Sequence, residues 1–308
     1  MASLGLKKRL LHTGVKCVVL GLSGGLDSTL ALLIAARAMA LLDRPMSDIV
    51  AVTMPCFGTT GRTKSNAELL ARRIGADFRC IPIDEAVRVH FRDIGHPLDD
   101  FSVTYENGQA RERTQVLMDL GNRIGGLVLG TGDISEMALG WATYNGDHMS
   151  MYAVNADIPK TLLRHLVAFA ADSTEDAELA SVLRDVLDTP VSPELLPPKD
   201  GEIAQCTEEL VGPYELHDFF LYHFLRRGAS PRKVFRLCLR AFGDRYDRET
   251  VLRWLRTFCR RFFSQQFKRS CFPDGPQIGS VTLSPRGGLC MPSDAAAALW
   301  MEELDSLS

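Results

Sequence analysis

The sequence predicts an α/β fold, a doubly wound parallel sheet with helices on both faces, followed by a helical C-terminal part. Three observations predict it. Strand-like and helix-like stretches alternate from about residue 15 to residue 130, as in β-α-β units. The first strand passes through a glycine-rich turn directly into a helix. In the last third, apolar residues fall at helical spacing instead, as in Val251, Leu252, Leu255, Phe258 and Phe262.

Taken in order, Val15–Leu20 is a β-branched strand, and Ser28–Leu41 a helix with Leu30, Leu33, Ile34 and Ala38 at helical spacing. Asp48–Met54 reads as the second strand and Thr63–Ile74 as the next helix. Phe78–Ile83 is a third strand; a helix over Ala110–Ile124 leads to a fourth, Gly126–Gly130. Right-handed crossovers then place ligands at the carboxyl ends of the strands, where the loops after Leu20, Met54 and Gly130 converge. The loop Pro55–Arg62 reads equally as a lid over that edge or as a plain connection. Residues Ala171 to Glu209 carry eleven acids against Arg184 and Lys199, with Pro190, Pro193, Pro197 and Pro198. That stretch reads as a long irregular connection. Arg226 to Arg269 reverses the sign, with fourteen basic residues against three acids. There Arg253, Arg256 and Arg260 lie opposite the apolar stripe, either as a solvated face or as a basic rim facing phosphates. No repeat or linker divides the chain, so residues 1–308 are expected to form a single domain.

The bulk composition excludes several classes. At 46% hydrophobic and 24% charged, the 308 residues have an ordinary globular composition. A net charge of −3 gives no support for nucleic-acid binding, and no apolar run is long enough to span a membrane. The N-terminal residues lack a signal-peptide pattern. The eight cysteines are scattered without metal-like spacing, as expected of a reduced, cytoplasmic protein. Cys17 and Cys238 read as small buried hydrophobes, and His217 and His223 as structural or surface residues.

The chemistry begins at Gly21-Leu22-Ser23-Gly24-Gly25-Leu26-Asp27-Ser28. A strand, a glycine turn and a helix N-terminus together present backbone N–H groups to an anion, with the helix dipole in support. Gly24 and Gly25 allow positive φ and close approach to a phosphate, and Ser23 and Ser28 add hydroxyls. No Gly-Lys-Ser/Thr closes the loop, so it is not a Walker A sequence. Asp27 would repel a polyphosphate unless a cation lay between them, which implies Mg²⁺ held jointly by Asp27 and phosphate oxygens. A capped strand-to-helix turn is the plainer alternative.

A second block, residues 130–161, is crowded with glycine, acids, hydroxyls and aromatics. Thr131 falls at the end of the fourth strand. Ser135 and Glu136 can start a helix, and Glu136 can supply a second oxygen to Mg²⁺. Trp141 and Tyr144 offer flat faces to a planar ring, Asp147 is an acid in an Asn-Gly-Asp turn, and Lys160 could reach a phosphate. Each has a bland reading: Glu136 as a cap, Trp141 as core, Asp147 as a turn former.

The first block resembles the SGGxDS loop of the N-type ATP pyrophosphatases, with their adenine nucleotide alpha-hydrolase-like fold. The second block, GTGDISEMALGWATYNGDHMSMYAVNADIPKT, resembles NAD synthetase, specifically the synthetase domain of the glutamine-dependent type. DTPVSPELLPP (188–198), VGPYELHDFFLYH (211–223), SQQFKRS (264–270) and SPRGG (284–288) resemble the same family in the same order, so the likeness covers nearly the whole chain. It implies ATP-dependent amidation of nicotinic acid adenine dinucleotide (deamido-NAD) through an acyl adenylate, releasing AMP and pyrophosphate. It also implies that Gly21–Ser28, Thr131, Lys160 and Ser192 meet ATP, and that Asp27 and Glu136 hold Mg²⁺. Asn107, Arg111, Arg113, Glu136, Trp141, Ala142, Thr143, Tyr144, Asp147 and Lys268 would meet the dinucleotide. Asp27, Lys160 and Asp147 would carry catalysis, Asp147 by assisting deprotonation of ammonium. The family further implies a homodimer.

The sequence departs from the glutamine-dependent pattern, because residues 1–308 hold no nitrilase-like glutaminase constellation. Free ammonia is then the expected nitrogen donor, a separate glutaminase subunit or a larger parent chain being the other arrangements. Two different readings compete: another SGGxDS ligase, such as a GMP synthetase subunit, and a nucleotide-binding regulatory protein without turnover.

Overall fold

The computed structural model describes residues 1–146, 148–190, 192, 195–196 and 207–307. In chain order the elements are α1 (Ala2–Thr13), β1 (Cys17–Gly21), α2 (Leu26–Ala40), β2 (Ile49–Thr53), α3 (Gly61–Ile74) and β3 (Asp77–Cys80). Then come α4 (Asp84–Ile94), α5 (Val103–Ile124), β4 (Gly126–Gly130), α6 (Ile134–Leu139), β5 (Tyr152–Ala153), α7 (Lys160–Ser173) and α8 (Ala177–Asp188). The rest are helices: α9 (Thr207–Val211), α10 (Tyr214–Leu225), α11 (Pro231–Phe242), α12 (Arg248–Ser264), α13 (Gln266–Arg269) and α14 (Ala298–Asp305).

Every strand pair is parallel, and the sheet order is β3-β2-β1-β4-β5. The chain thus winds outward on one side of β1 and then on the other, the doubly wound order. In β1, Val18 and Leu20 face the layer containing α1, α2, α7 and α8, while Cys17 and Val19 face α4 and α5. Burial of one such side chain contributes about 1.5–3 kcal/mol, so β1, covered on both faces, is apolar throughout. A separate cluster joins α10, α11, α12 and α14 to α6, where Phe220, Phe235 and Phe258 are fully buried. This is the helical C-terminal part, which meets the carboxyl edge of the sheet through α6 and α7.

The structure differs from expectation at several elements. The acidic stretch from Ala171 is mostly helical as far as Asp188, with the end of α7 and the whole of α8 separated only by residues 174–176. Its acids do not oppose a helix, because Ala180, Leu183 and Val186 form a buried stripe and the Asp176 carboxylate caps the N-terminus by accepting from Glu178 and Leu179 N–H. Arg62 pairs with Asp185 at 2.6 Å, so part of the charge is spent on α3. The proline-rich segment after Pro190 lies mostly outside the described residues. Helices α1 and α4 and strand β5 were not among the expected elements, and α5 begins at Val103 rather than Ala110, which brings Asn107 onto the helix. Strand β3 ends at Cys80. In α12, Arg256 pairs with Asp305 at 2.9 Å and Arg253 stacks on Trp254, which is the plain reading of the basic face.

Candidate functional site

Between β1 and α2 the chain turns at the carboxyl edge of the sheet, with Leu22 N–H still bonded to the Val52 carbonyl at 2.8 Å. The loop's own hydroxyls brace it. Ser23 Oγ accepts from Gly25 N–H and lies 3.1 Å from Ser28 Oγ, while Ser28 and Thr29 hydroxyls donate to the Gly25 carbonyl. Gly24 has φ +85°, and a Cβ there would sit 2.1 Å from the Thr63 carbonyl oxygen of α3. Only glycine satisfies both conditions. Gly25 needs no positive φ. It is extended at φ −88° and precedes α2 as an N-cap without a side-chain cap. The first-turn donors of α2 are therefore of the kind that bind anions.

Opposite this loop stands a buried charge cluster. Lys160, the first residue of α7, is 1% exposed, and its ammonium lies 2.7 Å from Asp27 Oδ1, 2.7 Å from Asp133 Oδ2 and 3.0 Å from Glu136 Oε1. Burial alone would lower the lysine pKa; attraction from Asp133, Asp27 and Glu136 overturns that and holds it well above the ordinary value. Lys160 is thus a fixed cation. Asp133, fully buried, has its carboxyl pushed up by burial, against the pull of Lys160 and reinforced by Glu136 and Asp27. The Tyr214 ring lies 5.3 Å from the ammonium, and burial keeps its phenol protonated.

Carboxylate oxygens of Asp27, Asp133 and Glu136 lie within 4.8 Å of one another. Hard oxygens so spaced fit Mg²⁺. Asp27 and Glu136 are 22% and 21% exposed and face the cleft; Asp133 is enclosed behind them. The sequence reading overlooked Asp133. It caps α6, accepting from Glu136 N–H at 2.9 Å, so the helix starts one residue before Ser135. The Asp-x-x-Glu spacing at 133–136 was a usable capping signal. Asn155 was also missed. Wholly buried, it donates from Nδ2 to the carbonyls of Asp27 (3.0 Å) and Thr131 (2.9 Å), tying the glycine loop to the loop after β4. No sequence pattern marks such a bridge, since its ends are backbone atoms.

A cleft of about 280 Å³ joins these parts. Gly21, Leu22, Ser23, Gly25, Leu26, Asp27 and Ser28 line it together with Thr131, Glu136, Arg113, Ala142 and Ser192. Gly24 is turned toward α3 instead, and Lys160 reaches the cleft through its carboxylate partners. A second group lies beside it. Asn107 Oδ1 accepts from Thr143 Oγ1 at 3.0 Å, and Arg111 donates to the Tyr144 carbonyl, so α5 holds the loop after α6. From the other side Lys268 Nζ donates to the carbonyls of Gly140 and Ala142 at 2.9 and 2.7 Å. Trp141 packs against the C-terminal cluster with the Arg261 guanidinium 5.2 Å from its ring, and Tyr144 is 38% exposed beside Phe267. Asp147 lies outside the described residues. His217 is structural: buried, with Nε2 2.7 Å from the Val211 carbonyl, its pKa is pushed down to about 4 by desolvation.

Fold and cleft together define an α/β protein with an anion-binding glycine loop and a lysine–carboxylate cluster at the point where the strand order reverses. Residues 2–241 match the family model described as NAD synthase. The chain is 44% identical to the glutamine-dependent NAD(+) synthetase of Mycobacterium leprae over 98% of its own length and 48% of that protein's. Among solved structures, a glutamine-dependent NAD(+) synthetase from Cytophaga hutchinsonii superposes with a TM-score of 0.81 at 20% identity, over 99% of this chain and 55% of the other. The enzyme from Acinetobacter baumannii in complex with ADP gives 0.56 at 27% identity, over 92% and 47%. The chain belongs to the NAD synthase family. It spans about half the length of the curated relatives it matches.

Proposed function

We propose that residues 1–308 act as a single ATP-pyrophosphatase domain that amidates deamido-NAD to NAD. The observation that carries this reading is the Lys160 ammonium held within 3.0 Å of Asp27 and Glu136, directly across from the glycine loop. The carboxylate of the nicotinic acid ring is a poor acyl donor, because oxide does not leave. Its oxygen attacks the α-phosphorus of ATP, the bond to the β-phosphate oxygen breaks, and an acyl adenylate and pyrophosphate result. Ammonia then adds to the activated carbonyl, AMP departs with the bonding pair, and one proton is released. Residues 21–28 bind the phosphates, with Thr131 and Ser192 on the nucleotide, and Lys160 stabilises charge on the departing pyrophosphate. Asp27 and Glu136 would hold Mg²⁺, which supplies charge neutralisation on the phosphate oxygens. Asn107, Arg111, Arg113, Trp141–Tyr144, Asp147 and Lys268 form the dinucleotide side, with Asp147 assisting deprotonation of ammonium.

Relatives named as NAD synthetases and the ADP complex of one of them support this assignment. Nothing in the cleft favours the GMP synthetase alternative. Ammonia is the donor proposed for residues 1–308, with a homodimer as the assembly; unpaired thiols at all seven described cysteines suit a reducing cytoplasm. The test supplies ATP, Mg²⁺ and deamido-NAD with ammonium chloride in one tube and glutamine in another, reading NAD at the end. NAD with ammonium alone is the expected result. NAD from glutamine refutes the nitrogen assignment, and no NAD in either tube refutes the activity.

A further inference from the structure

Lys160 stands at an unfavourable place for a cation. It opens α7, where the helix dipole is positive, and Pro159 before it supplies no side-chain cap. Its Nζ is nevertheless held against three carboxylates. The backbone there is fixed from a third element. Asp218 on α10 accepts at Oδ2 from Thr161 N–H (3.0 Å) and Thr161 Oγ1 (2.7 Å), and at Oδ1 from Ser135 Oγ in a short hydrogen bond. Ser135 Oγ in turn accepts from Lys160 N–H at 2.9 Å. One carboxylate thus locks the first turn of α6, which carries Glu136, to the first turn of α7, which carries Lys160. It also places a negative charge at the otherwise uncapped end of α7. One turn earlier on α10, the Tyr214 ring packs beneath the lysine ammonium.

We propose that Asp218 is a positioning residue for the reaction: through Ser135 and Thr161 it sets the distance between Lys160 and Glu136, and α10 is the platform on which the phosphate-facing cluster is built. The segment VGPYELHDFFLYH thereby acquires a role in the cleft although Asp218 itself does not line it. The hydroxyl of Ser135 gives its proton to Asp218, because a carboxylate can only accept, while the serine oxygen accepts from Lys160 N–H. Asparagine at 218 breaks this order in either orientation, because its single amide oxygen can accept from Ser135 or from Thr161 but not from both, and the amide N–H then faces the donor left over.

The role assigned to Lys160 rests on the proposed function, so the test has one arm in turnover and one independent of it. In the first, Asp218→Asn and Ser135→Ala are compared with the unmodified chain in NAD formation. A displacement of Lys160 by about 1 Å lowers kcat by about a hundredfold with the KM for ATP little changed. The double variant is no worse than the poorer single one, because both break the same chain of bonds. In the second, acetic anhydride labels surface amines and Lys160 acetylation is read by mass spectrometry. Lys160 is protected in the unmodified chain and labelled about tenfold more in Asp218→Asn, as a buried group released by local opening is. If the unmodified chain makes no NAD, the proposed activity fails and the labelling arm alone decides this proposal. Asp218→Asn and Ser135→Ala chains that fold, keep Lys160 protected and keep kcat overturn it. If Asp218→Asn does not fold, Ser135→Ala decides by the same two readings.

Discussion

Lys160→Met keeps an unbranched apolar side chain and removes only the ammonium. The unmodified cation sits 2.7, 2.7 and 3.0 Å from three carboxylates. Breaking a buried pair by deleting one partner costs about 3–5 kcal/mol. Asp27 and Glu136 are about one-fifth exposed and rehydrate in part, which puts this case near the lower end, about 3 kcal/mol. At roughly 2 °C per kcal/mol for a chain of this length, Tm falls by about 6 °C near pH 8. The loss carries a pH signature. In the unmodified chain the raised pKa of Lys160 gives stability that is complete below the ordinary lysine value and lost only as pH rises past it. Without that cation nothing opposes the burial that pushes the Asp133 carboxyl up, and a carboxyl with a raised folded-state value stabilises the fold below about pH 4 and loses that contribution as pH rises. The variant therefore recovers relative to the unmodified chain when pH is lowered from about 8 to about 5. Mg²⁺ added near pH 8 also recovers part of the loss, since it binds the folded carboxylates. Thermal melts at both pH values, with and without MgCl₂, read all of this. A deficit equal at both pH values, or one that Mg²⁺ leaves untouched, refutes the view that the ammonium holds mutually repelling carboxylates together.

Three further outcomes follow from other parts of the site. Gly24→Ala forces a left-handed residue costing about 1–2 kcal/mol and drives a Cβ against the Thr63 carbonyl, so ATP affinity measured by calorimetry drops sharply while the far-UV spectrum is retained. Asn155→Leu removes the part-buried hydrogen bonds to the carbonyls of Asp27 and Thr131, at about 0.5–1.5 kcal/mol each; urea unfolding shows the loss, and pyrophosphate exchange shows the KM for ATP rising as the two loops part. His217, neutral when buried with a pKa of about 4, stabilises the fold fully above its ordinary value and loses that contribution as pH falls from about 6.5 to about 4. His217→Leu should flatten that limb of the stability–pH curve, and an unchanged acid limb means other groups govern it.

Much of the cleft was legible in the sequence. The alternation of strands and helices led to the parallel sheet, and the run from Gly21 to Ser28 lies where a strand-turn-helix reading puts it, with Thr131, Glu136 and Ser192 on the same cleft. The acidic stretch misled because charge and proline were weighed above the buried spacing of Ala180, Leu183 and Val186 in α8. A stretch of mixed charge folds as a helix when one face is covered, and only its neighbours decide that.

The sequence by itself determined the succession of strands along the first part of the chain and the residue types of the glycine loop, because both are local: strand periodicity, glycine geometry and capping act over a few residues. It also determined the family, through a likeness that runs nearly the full length. Only the tertiary structure decided which carboxylates surround Lys160. Asp133 joins Asp27 and Glu136 there, Asn155 bridges two loops through backbone carbonyls, and Asp218 reaches back from α10 to hold Ser135 and Thr161. These contacts join residues 24 to 133 positions apart. Such partners are brought together by packing of the sheet layer and the helical cluster, and no local spacing rule encodes them.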